Sequence, residues 1–235
     1  MIERLQAYGR QMRSLPRHVL FYRDGVSESQ YGEVRVKELT QIRAACQAVC
    51  TNGETPPLVT LVIVGKRHHS RFYSTPESTL NPVSGMVVDT AVVAPRQFNF
   101  YLQSHDAPIG TARCAHYVVL QNDSGYNANE LQEIVRSFPC HLTPANVSEQ
   151  TNRICFMGSR ATKGLSVCTP ARYADLLCDR LRMYMRPALE GRVQGLPVVP
   201  TVRDYRTRDL IWGTPQATGE VNPWKARLDN TMFYL

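Results

Sequence analysis

Apolar positions along the chain follow two rhythms. Short unbroken runs rich in β-branched and aromatic residues read as buried strands. They are His18 to Tyr22 (HVLFY), Leu58 to Val64 (LVTLVIV), Phe98 to Leu102 and Tyr117 to Gln121, with a short one inside Gly85 to Thr90. Helical spacing surrounds them. Residues 2 to 13 predict a helix with Ile2, Leu5, Ala7 and Met12 inward and Pro16 as its stop. Ser27 opens a longer helix to about Cys50, with Gln30 placed to complete a capping box. Val34, Leu39, Ile42, Ala45, Ala48 and Val49 give that helix an apolar face. Further helices are predicted over 127 to 138, about 147 to 157 and 170 to 185, the last opening on Pro170.

Strands separated by helices imply an α/β fold, a mixed sheet covered by helices. The order strand, helix, strand over 18 to 64 is one βαβ unit, expected with a right-handed crossover. Residues 187 to 235 differ. They carry five prolines and four glycines and read as a long loop with a docked C-terminal strip, anchored by Trp212, Trp224, Met232, Phe233 and Tyr234.

Composition narrows the function. A chain of 235 residues with 43% hydrophobic positions buries a real core and is not disordered throughout. Its longest apolar runs fall far short of the roughly 20 residues a membrane span needs. The start, MIERLQAYGRQMRS, is amphipathic and unlike a secretory signal. The net charge of +7 favours a polyanionic partner. Seven cysteines, an odd number without a CxxC pair, read as reduced and buried thiols, with no disulfide-linked partner. That usage suits a cytoplasmic or nuclear protein.

Three places could carry chemistry. Asp24 ends a buried strand, where open α/β sheets bind ligands and a carboxylate holds Mg²⁺. The plainer reading is a turn aspartate before Gly25. Lys66-Arg67-His68-His69-Ser70-Arg71 follows the next strand and makes a phosphate-binding lip, or else a solvated loop. The third is Arg160 to Arg186, where Arg160, Lys163, Arg172, Arg180, Arg182 and Arg186 face only Asp175 and Asp179. Asp175 sits in an apolar run, an expensive place for a charge unless a cation compensates it, and Arg172 could pair with Asp175 or Asp179. No GxSxG or GxxxxGK motif is present.

Together these strings resemble the PIWI domain of eukaryotic Argonaute proteins, of fungal type. The resemblance is carried in order by Phe21 to Glu28 (FYRDGVSE), Val64 to Phe72 (VGKRHHSRF), Val88 to Thr90, Phe98 to Leu102 with Ser104 and His105, Gly110 to Arg113, and His116-Tyr117. It continues through Arg160 to Lys163 and Pro170 to Asp175, and ends at Leu228 to Leu235. It implies an RNase H-like fold over residues 1 to 186, with 187 to 235 completing the same domain. It also implies a small guide RNA and a complementary target RNA as partners, with silencing partner proteins and no membrane. Catalytic members of the family cut the target with two Mg²⁺ ions held by Asp, Glu, Asp, and a final Asp or His. Asp24 matches the third of these and Asp175 the fourth, as catalytic and metal-binding residues.

The resemblance puts the first Asp and the Glu before Met1, together with the N-terminal strands of the sheet. It therefore implies a partial domain and a Mg²⁺ site completed only if those ligands are supplied. By the same resemblance Lys66, Arg67, His69, Arg71, Arg113, Arg160, Lys163, Ser166 and Arg180 contact the guide. Arg172 stands where relatives more often carry Tyr, and the stretch 139 to 150 departs from the family pattern. Three readings follow: a guide-binding part of a silencing protein, the back half of a target-cleaving nuclease, or a truncated non-catalytic paralogue acting only through RNA or protein binding.

Overall fold

The alternation within Leu58–Gly65 decides the architecture. Val59, Leu61 and Ile63 join one apolar cluster, while Val62 and Val64 join another on the opposite face. A strand buried on both sides must be central and covered twice. The computed structural model describes residues 1–51, 53–74, 80–95, 97–127, 154–189, 231, 232 and 234. In chain order its elements are α1 (Ile2–Met12), β1 (His18–Asp24), α2 (Tyr31–Glu33), α3 (Leu39–Ala48), β2 (Leu58–Gly65), β3 (Met86–Val88), β4 (Asn99–Gln103), β5 (Ala115–Asn122) and α4 (Thr169–Leu189).

The five strands form one mixed sheet in the order β1-β2-β5-β4-β3. β1 and β2 run parallel, in register from His18 opposite Leu58 to Asp24 opposite Val64. The remaining pairings are antiparallel. Between β1 and β2 the chain makes one helical run. A 3₁₀ turn (Glu28–Gln30) leads into α2, a π stretch (Val34–Glu38) and then α3. Gln30 reaches back to accept from the Ser27 amide at 3.1 Å, the expected return half of a capping box.

One sheet face packs Leu5 of α1 and Val34, Leu39, Ile42 and Cys46 of the helical run against Val59, Leu61, Ile63 and Val118. The other face packs Val62, Val64, Phe100, Leu102 and Tyr117 beneath Cys155, Cys168 and Ala171. The chain divides into two compact units, Met1–Ala171 and Arg172–Leu235. The first holds the sheet, and the second holds most of α4.

Several expectations need correction. On α1 only Leu5 is buried, while Ile2 and Met12 are exposed. In the long helical run Cys46 is buried rather than Ala45 or Ala48. The π stretch is the cause. Its i→i+5 turn brings Val34 and Leu39 onto one face and resets the phase that follows. The strands at 115 to 122 and 18 to 24 are longer than expected, because paired neighbours extend them past their apolar runs. The helix expected over 147 to 157 is not continued at its described end, where 154 to 156 form a turn. The helix at 127 to 138, the 139 to 150 stretch, Cys140, Trp212 and Trp224 lie outside the described residues. Of the described cysteines Cys46, Cys114, Cys155 and Cys168 are buried and Cys178 is exposed, all of them free thiols.

Candidate nucleic-acid interface

The sheet topology gathers the candidate residues of the first unit along one edge. Asp24 closes β1 opposite Val64, and Gly65 opposite His116 leads into Lys66. Arg113 precedes β5, and Ser104 follows β4, whose Leu102 faces Ala115. Parallel β1 and β2 and antiparallel β4 thus end on the edge where β5 begins. An open sheet places ligand groups at such strand ends.

His68 organises the lip. Its ring Nε2 meets the Cys114 carbonyl at 2.8 Å. The ring packs edge-on to Tyr101, with centroids 5.1 Å apart. Arg71 donates to the His68 and Ser70 carbonyls at 3.2 and 2.7 Å, and Phe72 packs on Tyr101 at 5.2 Å. The 66–71 loop is therefore anchored to the start of β5 rather than solvated throughout. Burial holds the His68 pKa below its usual range, and the nearby charges of Arg71, Arg113 and Lys66 push the same way. Burial likewise lowers Lys66, with Arg113 adding to it, and lowers His105, with Lys66 adding to it. The charges of Lys66, Arg71 and Arg113 thus bear on one imidazole, and that of Lys66 bears on His105 as well.

A second loop completes the edge. Ser104 donates through Oγ to the Leu165 carbonyl at 2.6 Å, docking residues 154–168 at the end of β4. Gly164 makes this possible, since a Cβ there would stand 2.3 Å from the Ser104 carbonyl oxygen. The loop carries Arg160 and Lys163, both exposed, and half-buried Ser166. At its far end, burial raises the Cys168 thiol, and Asp24 bears on it in the same direction. The loop therefore runs from Ser104 to the neighbourhood of Asp24.

Among the described residues these cations lack acidic partners. None of Lys66, Arg67, Arg71, Arg113, Arg160 or Lys163 forms an ion pair among the described residues. Arg67 and His69 are exposed on the same lip. Like charges held together without counter-charge cost free energy, and a bound polyanion relieves that cost. Neighbouring Arg23 is different, because Glu38 of the π stretch binds it at 2.9 and 3.2 Å.

The metal-site expectation fares differently. Asp24 is half-buried, and its Oδ1 accepts from the Gly25 amide at 2.5 Å. Among the described residues no group of three or more His, Cys, Asp or Glu side chains is placed to hold a metal. Mg²⁺ needs several oxygens in near-octahedral order, so this donor set alone does not fit the ion. Asp175 and Arg180 belong to the second unit, on α4, and both are exposed. The apolar run around Asp175 therefore does not bury it: Leu176 and Leu177 are half-buried and Asp175 is exposed. Asp179 pairs with Arg182 at 3.5 Å rather than with Arg172.

Sequence reasoning placed His68 in the phosphate-binding lip without its anchoring role at Cys114, and it missed Asn81, which binds the Ala107 and Gly110 carbonyls and the Ala112 amide. Both act through backbone contacts, which leave no spacing signature.

The chain is similar to known proteins throughout. The Piwi domain family matches residues 1–186. Protein argonaute 5 of Arabidopsis thaliana is 34% identical over 99% of this chain and 21% of its own length. Protein argonaute 1B of Oryza sativa subsp. japonica is 38% identical over 99% of this chain and 20% of its own length. The chain thus spans about a fifth of these curated relatives. Among solved structures, the C-terminal lobe of a budding yeast Argonaute superposes with a TM-score of 0.76 at 24% identity, over 100% of this chain and 43% of that one. Kluyveromyces polysporus Argonaute with a guide RNA superposes at 0.65 and 26% identity, over 81% of this chain and 21% of that one.

Proposed function

The chain belongs to the Piwi domain family, and from that premise we propose that its basic sheet edge holds the sugar-phosphate backbone of a small guide RNA paired with its target in RNA silencing. One observation carries the reading: six cations on three loops, 66–71, the β4–β5 connection and 154–168, gather at one edge without ion-pair partners among the described residues. Contacts of this kind position a strand without reading its sequence, which suits a protein whose specificity resides in the guide. The relative crystallised with a guide RNA supports the same chemistry. Arg180 and Ser166 would extend the contacts, and silencing proteins would dock elsewhere.

Cleavage is a separate proposal. Asp24 and Asp175 would serve two-Mg²⁺ hydrolysis only where further carboxylates join them.

The test is binding of a short 5′-phosphorylated single-stranded RNA across a salt series. Each phosphate contact contributes about 0.7 to the slope of log affinity against log salt for single strands. Replacing Lys66, Arg67 and Arg71 together by Ala is expected to flatten the slope by about 2 and to weaken all sequences alike. An unchanged slope would remove the guide-backbone reading.

A further inference from the structure

Arg113 sits in a stretch that has no strand partners of its own. Residues 111–114 lie before β5 begins, outside the ladder. Ala112 and Cys114 are buried and Arg113 is exposed, the in-out-in order of extended chain. Buried backbone polar groups outside a ladder need partners from elsewhere. Side chains supply them. The Cys114 carbonyl after Arg113 meets His68. The Ala112 amide before it donates to Asn81 Oδ1 at 2.7 Å.

Asn81 does more than this. Its Nδ2 donates to the carbonyls of Ala107 and Gly110, each at 2.7 Å. One amide side chain therefore makes three contacts along 107–112, tying the approach to β3 to the whole β4–β5 connection. Gly110 takes a positive φ of 72° there, so the chain turns sharply between the held points. Without Asn81 that turn would have no described side chain fixing Ala107, Gly110 and Ala112 at once.

We propose that Asn81 is a positioning residue for RNA binding: it sets the backbone leading into Arg113 so that the guanidinium is presented to a phosphate at the basic edge. This rests on the RNA-backbone reading above. Asn81 need not touch RNA. Its effect passes through Arg113, and pre-organisation of this kind lowers the ordering cost of binding.

A double-mutant cycle on the 235-residue chain tests it, with short 5′-phosphorylated single-stranded RNA as the probe. Arg113→Ala is expected to weaken binding about tenfold and to flatten the salt slope by about 0.7. Asn81→Ala should reproduce both effects. The double variant should bind no more weakly than either single one, because the two act as a unit. Amide hydrogen exchange supplies the second measurement. Asn81→Ala should speed exchange at Ala112 while β4 and β5 amides stay protected, which also shows that the fold persists. Asn81→Ser, which keeps one short hydroxyl, serves if the alanine variant does not fold, with the same binding result expected. If Arg113→Ala flattens the slope and Asn81→Ala leaves it whole, the positioning role is overturned alone. Additive losses in the double variant overturn it as well. If Arg113→Ala leaves binding unchanged, the RNA reading of this edge fails and the role falls with it.

Discussion

His116 lies flat against Tyr101, ring centroids 4.3 Å apart, with Nε2 3.4 Å from Asn99 Oδ1. Burial holds its pKa down to about 4 from 6.5, and His68 adds to the shift. The sign follows from proton counting. Between pH 4 and 6.5 the unfolded chain carries a proton on this ring that the folded chain refuses. Its contribution is therefore complete above pH 6.5 and is lost as pH falls towards 4, on the order of 2 to 3 kcal/mol. His68 and His105 are lowered too and tilt the curve the same way. His116→Phe keeps the stack but takes the imidazole partner from Asn99 Oδ1. It is expected to lower stability at neutral pH yet flatten the pH dependence in urea unfolding. A slope as steep as that of the parent chain would refute the assignment. At this scale the sequence exposed the cations, because charge is visible in composition. It hid Asn81 and the anchoring role of His68, because both depend on which carbonyls and amides the fold brings to them.

Strands were legible because their period is two and their residues β-branched. LVTLVIV could hardly be anything other than a two-faced buried strand. Helix phase was not legible. The π stretch between Val34 and Glu38 turns the helix by an extra residue, so a uniform 3.6 spacing misassigns the face beyond it. The loop 154–168 was the other failure. Its apolar residues Cys155 and Cys168 cap the sheet from an irregular segment, where no period exists to detect. Its dependence on Gly164 gives a test at the level of the element. A Cβ there would meet Ser104 O at 2.3 Å and the Phe156 ring at 2.7 Å. Backbone and a packed ring cannot both yield, and overpacking of this kind costs about 1 to 3 kcal/mol. Gly164→Ala should lower the denaturation midpoint and weaken RNA binding through displaced Arg160 and Lys163. Hydrogen exchange should show the loss confined to 154–168 and the end of β4. An undisturbed loop would mean that the close approach at Ser104 is not needed.

Across the whole molecule, charge is distributed by partner as much as by number. Arg23, Lys37, Arg43 and Arg182 are tied to Glu38, Glu33, Asp123 and Asp179. The Arg43–Asp123 pair lies at the far end of β5, away from the lip, where Asp123 also donates its amide to Val59. Among the described residues the lip cations are left over, and the sequence could not show this, because pairing across 80 residues depends on sheet order. On the proposed reading the edge binds RNA through fixed side-chain charges, and that separates affinity from metal. Chelation of divalent ions by EDTA at constant ionic strength is expected to leave RNA affinity unchanged. Addition of Mg²⁺ to the 235-residue chain with a guide and a labelled complementary RNA is expected to give no cleavage products, since Mg²⁺ needs several oxygens in near-octahedral order and Asp24 supplies one carboxylate at this edge. Guide-directed turnover that Asp24→Asn abolishes would overturn this and make Asp24 a working ligand in the chain as it stands. Loss of RNA affinity on chelation would instead mean that ions, not Lys66, Arg71 and Arg113, bridge the protein to phosphate.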